Sequence, residues 1–151
     1  MNESIKAVQL IHAEEALSDV SAFGAETAAR ALRFHRSLPD YEPTPLADLR
    51  RLAEGLGLGR LAVKDESKRF GLNAFKGLGT SYAVARYLAQ YLDIPESEMT
   101  YENLQKPGYR ERLRTLTLVT ATDGNHGRGI AWAAKLFGLF AHVFMPKGGS
   151  P

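Results

Sequence analysis

Lys76 lies in the run Ser67-Lys68-Arg69-Phe70-Gly71-Leu72-Asn73-Ala74-Phe75-Lys76-Gly77-Leu78-Gly79. A short strand, a glycine-containing turn and a helix opening on Asn-x-x-Lys would place one amine at a strand-to-helix junction. Such an amine becomes a nucleophile through desolvation or nearby positive potential. The first turn of a helix supplies that potential, and Phe75 and Leu78 supply apolar surroundings. A lone helical lysine is ordinarily a solvated cation, so the weight falls on its neighbours. A second junction follows at Thr122-Asp123-Gly124-Asn125-His126-Gly127. Glycines after a strand let backbone N–H groups approach an anion, and the next helix aims its dipole at it. A substrate carboxylate is a natural guest. Asn125 can hydrogen-bond a ring oxygen. Asp123 is a candidate general base, with capping of the following helix as its other role. The run also reads as a plain turn using Asn and Gly for positive φ. Together the two junctions suggest a site that holds a carbonyl cofactor and its substrate.

The elements that must position these residues follow from hydrophobic spacing. Residues 1–24 are weakly patterned and read as a loosely held arm. Ala25, Ala28, Ala29 and Leu32 predict a helix over 25–37. Pro39, Pro43 and Pro45 break the chain into an extended loop. Leu46, Leu49, Leu52, Ala53 and Leu56 predict a second helix, ended by Gly57 and Gly59. Leu61 to Val63 reads as a short buried strand. A helix from near Asn73 to Leu92 is apolar over a wide arc and so packs on more than one surface. Residues 93–114 read as a surface connection with one short helix. Leu116, Leu118 and Val119 predict a strand, His126 to Phe137 a helix stopped by Gly138, and Phe140 to Met145 a last apolar strand. The order βαβαβ predicts an α/β chain with a parallel sheet covered on both faces.

The chain of 151 residues is 44% hydrophobic and 24% charged, the balance of one ordinary globular domain. Its net charge of +2, with acids interleaved as in Lys64-Asp65-Glu66-Ser67-Lys68-Arg69, does not predict nucleic-acid binding. It has no cysteine, which excludes disulfides, thiolate metal sites and a Cys nucleophile. No apolar run is long enough to span a bilayer, and Met1 to Lys6 lacks the order of a signal peptide. The expectation is a cytoplasmic protein with no membrane partner. His12, His35, His126 and His142 have no metal-ligand spacing. No Gly-x-Gly-x-x-Gly follows a strand, so a nucleotide-binding module is a weak alternative.

Four motifs in order carry a resemblance: Pro43-Thr44-Pro45-Leu46, Lys64-Asp65-Glu66, Asn73-Ala74-Phe75-Lys76 and Thr122-Asp123-Gly124-Asn125-His126. Their types and spacing resemble the fold-type II pyridoxal-phosphate enzymes, a group that includes threonine and serine dehydratases. The stretches 63–76 and 122–129, with Trp132-Ala133-Ala134, are more similar to the diaminopropionate ammonia-lyases. General dehydratases have Ser or Ala where Asp123 stands. The resemblance runs from about residue 28 to Lys147. It implies the tryptophan synthase β-like fold, incomplete here, with residues 1–72 an arm and part of the large domain and 73–151 mostly small domain. It implies pyridoxal 5'-phosphate carried on Lys76 beside Phe75, with Asn125 at the cofactor's phenolic oxygen. Thr122, Asp123, Gly124, Asn125 and His126 would hold an amino-acid substrate, and Asp123 would take the α-proton of the D form. The implied reaction is α,β-elimination of 2,3-diaminopropionate to pyruvate and ammonia, in a homodimer. The family's glycine-rich phosphate loop and second catalytic acid have no counterpart in these residues. A non-catalytic remnant that folds or dimerises without cofactor is the competing reading.

Overall fold

The computed structural model describes residues 23–122 and 124–148. The arm expected over residues 1–24 falls outside these except for its last two positions, and Asp123 falls outside them as well.

Helix α1 (Ala25–Arg36) forms where the alanine spacing predicts it. Glu26 in its first turn and Arg33, His35 and Arg36 in its last complement the helix dipole. The leucines that follow do not make one helix. Residues Leu46–Asp48 form strand β1, and only Arg50–Gly55 coil, as α2. Strand β1 pairs antiparallel with β2 (Ala62–Lys64), Leu46 opposite Lys64. The Leu49 N–H continues the ribbon by donating to the Leu61 carbonyl at 2.8 Å. Pro45 fixes an extended start, and pairing captures residues whose spacing alone suits a helix. Strand β2 is exposed along its length rather than buried, and it joins β1 instead of the parallel sheet.

The predicted βαβαβ order therefore reduces to one βαβ unit. Strand β3 (Thr117–Ala121) runs parallel to β4 (Phe140–Phe144), Val119 opposite His142, with the longer α6 (Asn125–Phe137) as the crossover. Gly138 ends α6 with φ of 70°, and the Leu139 N–H donates back to the Ala134 carbonyl at 2.8 Å. Only a residue that accepts the left-handed region closes a helix this way at little cost. The two strands alternate, one face half-buried under α6 and the other exposed. Val119, Phe140 and Phe144 are each about two-thirds exposed on that open face, so among the described residues the sheet is covered on one side only.

Helix α3 (Lys76–Tyr91) is the central element. It buries Val84, Ala85, Leu88 and Ala89 against Phe34 of α1 and Ala133, Ala134 and Phe137 of α6. The segment expected as a surface connection also feeds this core. It holds a 3-10 turn at Glu96–Glu98 and two short helices, α4 (Tyr101–Leu104) and α5 (Pro107–Leu113). Thr100 caps α4 by accepting the Asn103 N–H at 3.2 Å, and Pro107 opens α5. Leu104 and Leu113 are fully buried. Each such leucine contributes about 1.5–3 kcal/mol of burial.

Candidate active site

Two glycines in α6 determine how the two junctions meet. A Cβ on Gly129 would stand 3.1 Å from the Thr80 hydroxyl oxygen and 3.3 Å from the backbone carbon and oxygen of Lys76. The backbone of α6 therefore lies close on the first turn of α3, nearer than a Cβ would ordinarily sit. A Cβ on Gly127 would stand 2.7 Å from the Thr122 methyl and 2.8 Å from Val143 Cγ1. That contact seats the start of α6 on the ends of β3 and β4. A glycine inside a helix costs about 1 kcal/mol relative to alanine. Two of them in one short helix are a sequence signal of close approach.

Lys76 is the first residue of α3 and is half-buried. Its amine sits 4.8 Å from the centre of the Phe75 ring. Both residues line a cleft of about 450 Å³ with Gly79, Thr80, Ala83 and Val84 of α3 and His126 and Ile130 of α6. The lysine and the second junction are thus brought to one place through His126. Phe75 flanks the amine as expected, whereas Leu78 does not line the cleft. Its carbonyl is held by the His35 ring nitrogen at 2.9 Å and by the Ser81 hydroxyl at 3.1 Å. Ala83, Val84 and Ile130 supply the apolar wall instead. The sequence reading missed Thr80 and Ala83, although both fall on the face of α3 that carries Lys76.

The rest of the second junction sits at the top of the parallel pair. Gly124 precedes α6 with an extended backbone, and Asn125 and His126 are exposed first-turn residues. The Thr122 N–H donates to the Phe144 carbonyl at 2.9 Å, which prolongs the ladder by one residue. Thr122 lines a separate hollow with Ala121, Phe144, Met145 and Pro146, so it does not share the Lys76 cleft. The 13-residue α6 points its positive end at this region. Asp123 stands between Thr122 and Gly124 in the sequence, outside the described residues.

The motifs Pro43 to Leu46 and Lys64 to Glu66 are zipped together below the lysine segment. The Lys64 amine donates to the Thr44 carbonyl, the Thr44 hydroxyl to a Glu66 carboxylate oxygen, and the Asp65 N–H to the Pro45 carbonyl. Arg69, only 4% exposed, closes the cluster. Its guanidinium meets Glu66 in a two-pronged pair at 2.9 and 3.1 Å, and reaches the Glu42 carbonyl at 2.6 Å and the Thr44 hydroxyl at 3.1 Å. The Arg69 hydrogen bonds hold the Glu66 carboxyl below its ordinary value, aided by Thr44 and opposed by burial. Among the described residues no group of His, Asp and Glu is arranged to hold a metal ion.

Comparison with known proteins places this geometry in a family. Residues 38–151 match the family described as pyridoxal-phosphate dependent enzyme. The chain is 50% identical over 131 residues to diaminopropionate ammonia-lyase of Salmonella typhimurium, covering 87% of this chain and 32% of that protein. It is 46% identical over 126 residues to the Escherichia coli K12 protein of the same name, covering 83% and 31%. Two crystal structures of Escherichia coli diaminopropionate ammonia lyase match at 43% identity over 86% of this chain. The apo form has a TM-score of 0.78 over 34% of its own length, and the complex with D-serine 0.79 over 32%. The chain spans about a third of the length of the curated relatives it matches. The expected α/β class, with βαβ units of the fold-type II pyridoxal-phosphate enzymes, is the one these structures share.

Proposed function

Since the chain belongs to the pyridoxal-phosphate-dependent enzymes, we propose that it carries the lysine side of an ammonia-lyase active site acting on 2,3-diaminopropionate. The observation that carries this reading is the cleft in which Lys76 faces the start of α6. Its fit to the cofactor rests on three features: an amine at a helix start, an aromatic ring 4.8 Å from it, and an apolar wall beside it. The 46–50% identity to enzymes named diaminopropionate ammonia-lyase supports the substrate class.

When bound, pyridoxal phosphate supplies an electron sink for the carbanion left at the substrate α-carbon. The chain's own residues do the rest. Lys76 would hold the cofactor covalently, and Phe75 would pack beside it. Asn125 would orient the cofactor ring. The N–H groups at 124–127 would hold the substrate carboxylate, aided by the dipole of α6, and the resemblance adds the Thr122 hydroxyl, although it lines a separate hollow. His126, exposed at the mouth of the cleft, borders the substrate. Ala83, Val84 and Ile130 exclude water from one side. Asp123 would take the α-proton, and the elimination that the electron sink permits would release the β-amine as ammonia, with water converting the remaining three-carbon unit to pyruvate and a second ammonia. Asp123, in place of the Ser or Ala of general dehydratases, favours this reading over a threonine or serine dehydratase. The D-serine complex of the Escherichia coli relative supports the D form as the substrate that Asp123 deprotonates.

A homodimer is the assembly we propose, supported by the exposed apolar face of the sheet at Val119, Phe140 and Phe144. Among the described residues no helix is long and apolar enough to cross a membrane. A cytoplasmic setting is the corresponding proposal, and the lack of cysteine fits it.

The test adds pyridoxal phosphate to the purified chain and follows visible absorbance, then adds each enantiomer of 2,3-diaminopropionate and assays pyruvate. A band that the D form perturbs, absent in Lys76→Ala, supports the reading. No band, or a band that survives Lys76→Ala, overturns it.

A further inference from the structure

Two of the four motifs, Pro43 to Leu46 and Lys64 to Glu66, have no part in the chemistry above. Their zipper lies outside the Lys76 cleft, yet its geometry leads to Lys76. Arg69 has two prongs on Glu66, one on the Glu42 carbonyl and one shared with the Thr44 hydroxyl. Its guanidinium also lies 5.3 Å from the Tyr41 ring and 5.6 Å from the Phe70 ring. The next residue, Phe70, adopts φ of 50° and ψ of 22°, a left-handed conformation that bulky side chains avoid. Asn73 also has a positive φ, 55°, which asparagine accepts readily. Strain of this kind persists only where surrounding contacts over-determine it. Those contacts are visible here. The Phe70 ring stacks on Trp132 of α6 with centroids 4.5 Å apart and 21° between planes. A Cβ on Gly77 would stand 3.1 Å from the same Phe70 ring and 3.4 Å from Trp132. Phe70 is thus a wedge between the Arg69 cluster, the first turn of α3 and the middle of α6.

We propose that Arg69 is a positioning residue for Lys76. Its buried cluster anchors the turn at 66–75, and Phe70 transmits that anchor to the seam between α3 and α6. The lysine's depth and direction in the cleft are then set from outside the cleft. The two motifs with no chemistry of their own become the anchor for the motif that has it. A bidentate guanidinium suits this task because its planar fork fixes angle as well as distance, which an ammonium cannot do.

The consequence for the cofactor rests on the proposed function, but the positioning itself does not, and the experiment separates the two. Hydrogen exchange, resolved by residue, is measured on the wild-type chain, Arg69→Lys, Arg69→Met and Phe70→Leu. Arg69→Lys keeps the charge and loses the fork. Phe70→Leu keeps the cluster and loses the stack on Trp132. In both, amides 78–80 should exchange faster by on the order of tenfold, comparable to losing one charge-assisted hydrogen bond in Arg69→Lys or one aromatic stack in Phe70→Leu. Amides of β3, β4 and α5 should stay within about twofold of wild type. Arg69→Met should give a larger change in the same amides. Should Arg69→Met fail to fold, the other two variants decide. Unchanged exchange at 78–80 in Phe70→Leu and Arg69→Lys overturns the proposal, as does acceleration spread evenly over the chain. In parallel, pyridoxal phosphate is added and trapped with borohydride, and labels at Lys76 and Lys135 are compared. Positioning predicts that both variants lower the Lys76 label relative to Lys135. Equal ratios in wild type and variants, with altered exchange, would leave the anchor standing and remove its effect on the lysine. No Lys76 label in the wild type counts against the proposed function alone.

Discussion

Replacing Gly129 by alanine tests how the two halves of the cleft are joined. An alanine inside a helix ordinarily stabilises it by about 0.5–1 kcal/mol over glycine. Here the new Cβ would lie 3.1 Å from the Thr80 hydroxyl and 3.3 Å from the Lys76 carbon and carbonyl oxygen. The hydroxyl can rotate away, but the helix backbone of α3 cannot. Helix α6 must move off by a few tenths of an ångström, and overpacking of this kind costs about 1–3 kcal/mol. The net expectation is a loss of about 1 kcal/mol, or roughly 2–4 °C in Tm. Gly108 is the control, since a Cβ there meets nothing within 4 Å and Gly108→Ala should raise Tm. Widening the seam also separates Lys76 from the α6 turn. Displacement of about 1 Å can cost about 100-fold in rate, so capture of pyridoxal phosphate by Lys76 should slow by on the order of tenfold. Thermal melts by circular dichroism and stopped-flow absorbance read the two effects. A Gly129→Ala chain as stable as Gly108→Ala, with unchanged capture, would refute the close-seam argument.

Burial lowers the pKa of His35 below the ordinary 6.5, the bond to the Leu78 carbonyl opposing and the Arg69 charge adding. The fold thus favours the neutral ring, and stability should decline as pH falls below about 6.5; melts of His35→Gln should show a flatter profile over that range. Glu66 has the opposite charge type: its lowered carboxyl contributes stability above the ordinary value of 4.5 that is lost as pH falls through the folded value. Glu66→Gln should flatten that acid limb and, by stranding a buried guanidinium, cost about 3–5 kcal/mol at neutral pH by denaturant titration. In a complete enzyme of the family that carries these residues, Asp123→Asn should slow turnover of D-2,3-diaminopropionate by about 10²–10⁴-fold and that of the L form less, read by pyruvate release. The exposed sheet face should drive concentration-dependent association, which Val119→Lys with Phe144→Lys should abolish in sedimentation velocity.

The elements nearest the chemistry were legible because their signals are local. Gly138 terminates α6 where the periodic residues end, and Lys76 falls at a helix start because the Asn73 turn precedes it. What was not legible depends on distant partners. Leu46, Leu49 and Leu52 fit a helical period, and only pairing with Ala62 to Lys64 makes the first of them a strand. Residues 140–144 read as doubly covered because outward-facing Phe140 and Phe144 are as apolar as inward-facing Ala141 and Val143. Composition cannot tell a face buried under a helix from one left open. Arg69 read as one charge in a polar turn, since two of its partners, Glu42 and Thr44, lie 27 and 25 residues away across a proline loop. The cleft was half legible. Lys76 and His126 belong to motifs, whereas Thr80, Ala83 and Gly129 are small residues whose meaning appears only when α3 and α6 touch.

The most direct test of the account is to add pyridoxal phosphate to the purified chain, reduce with borohydride and map the labelled peptide. The account predicts a label on Lys76, with no comparable label on Lys64, Lys68 or Lys106. A label on another lysine in preference to Lys76, or none on Lys76 at saturating cofactor, would contradict it.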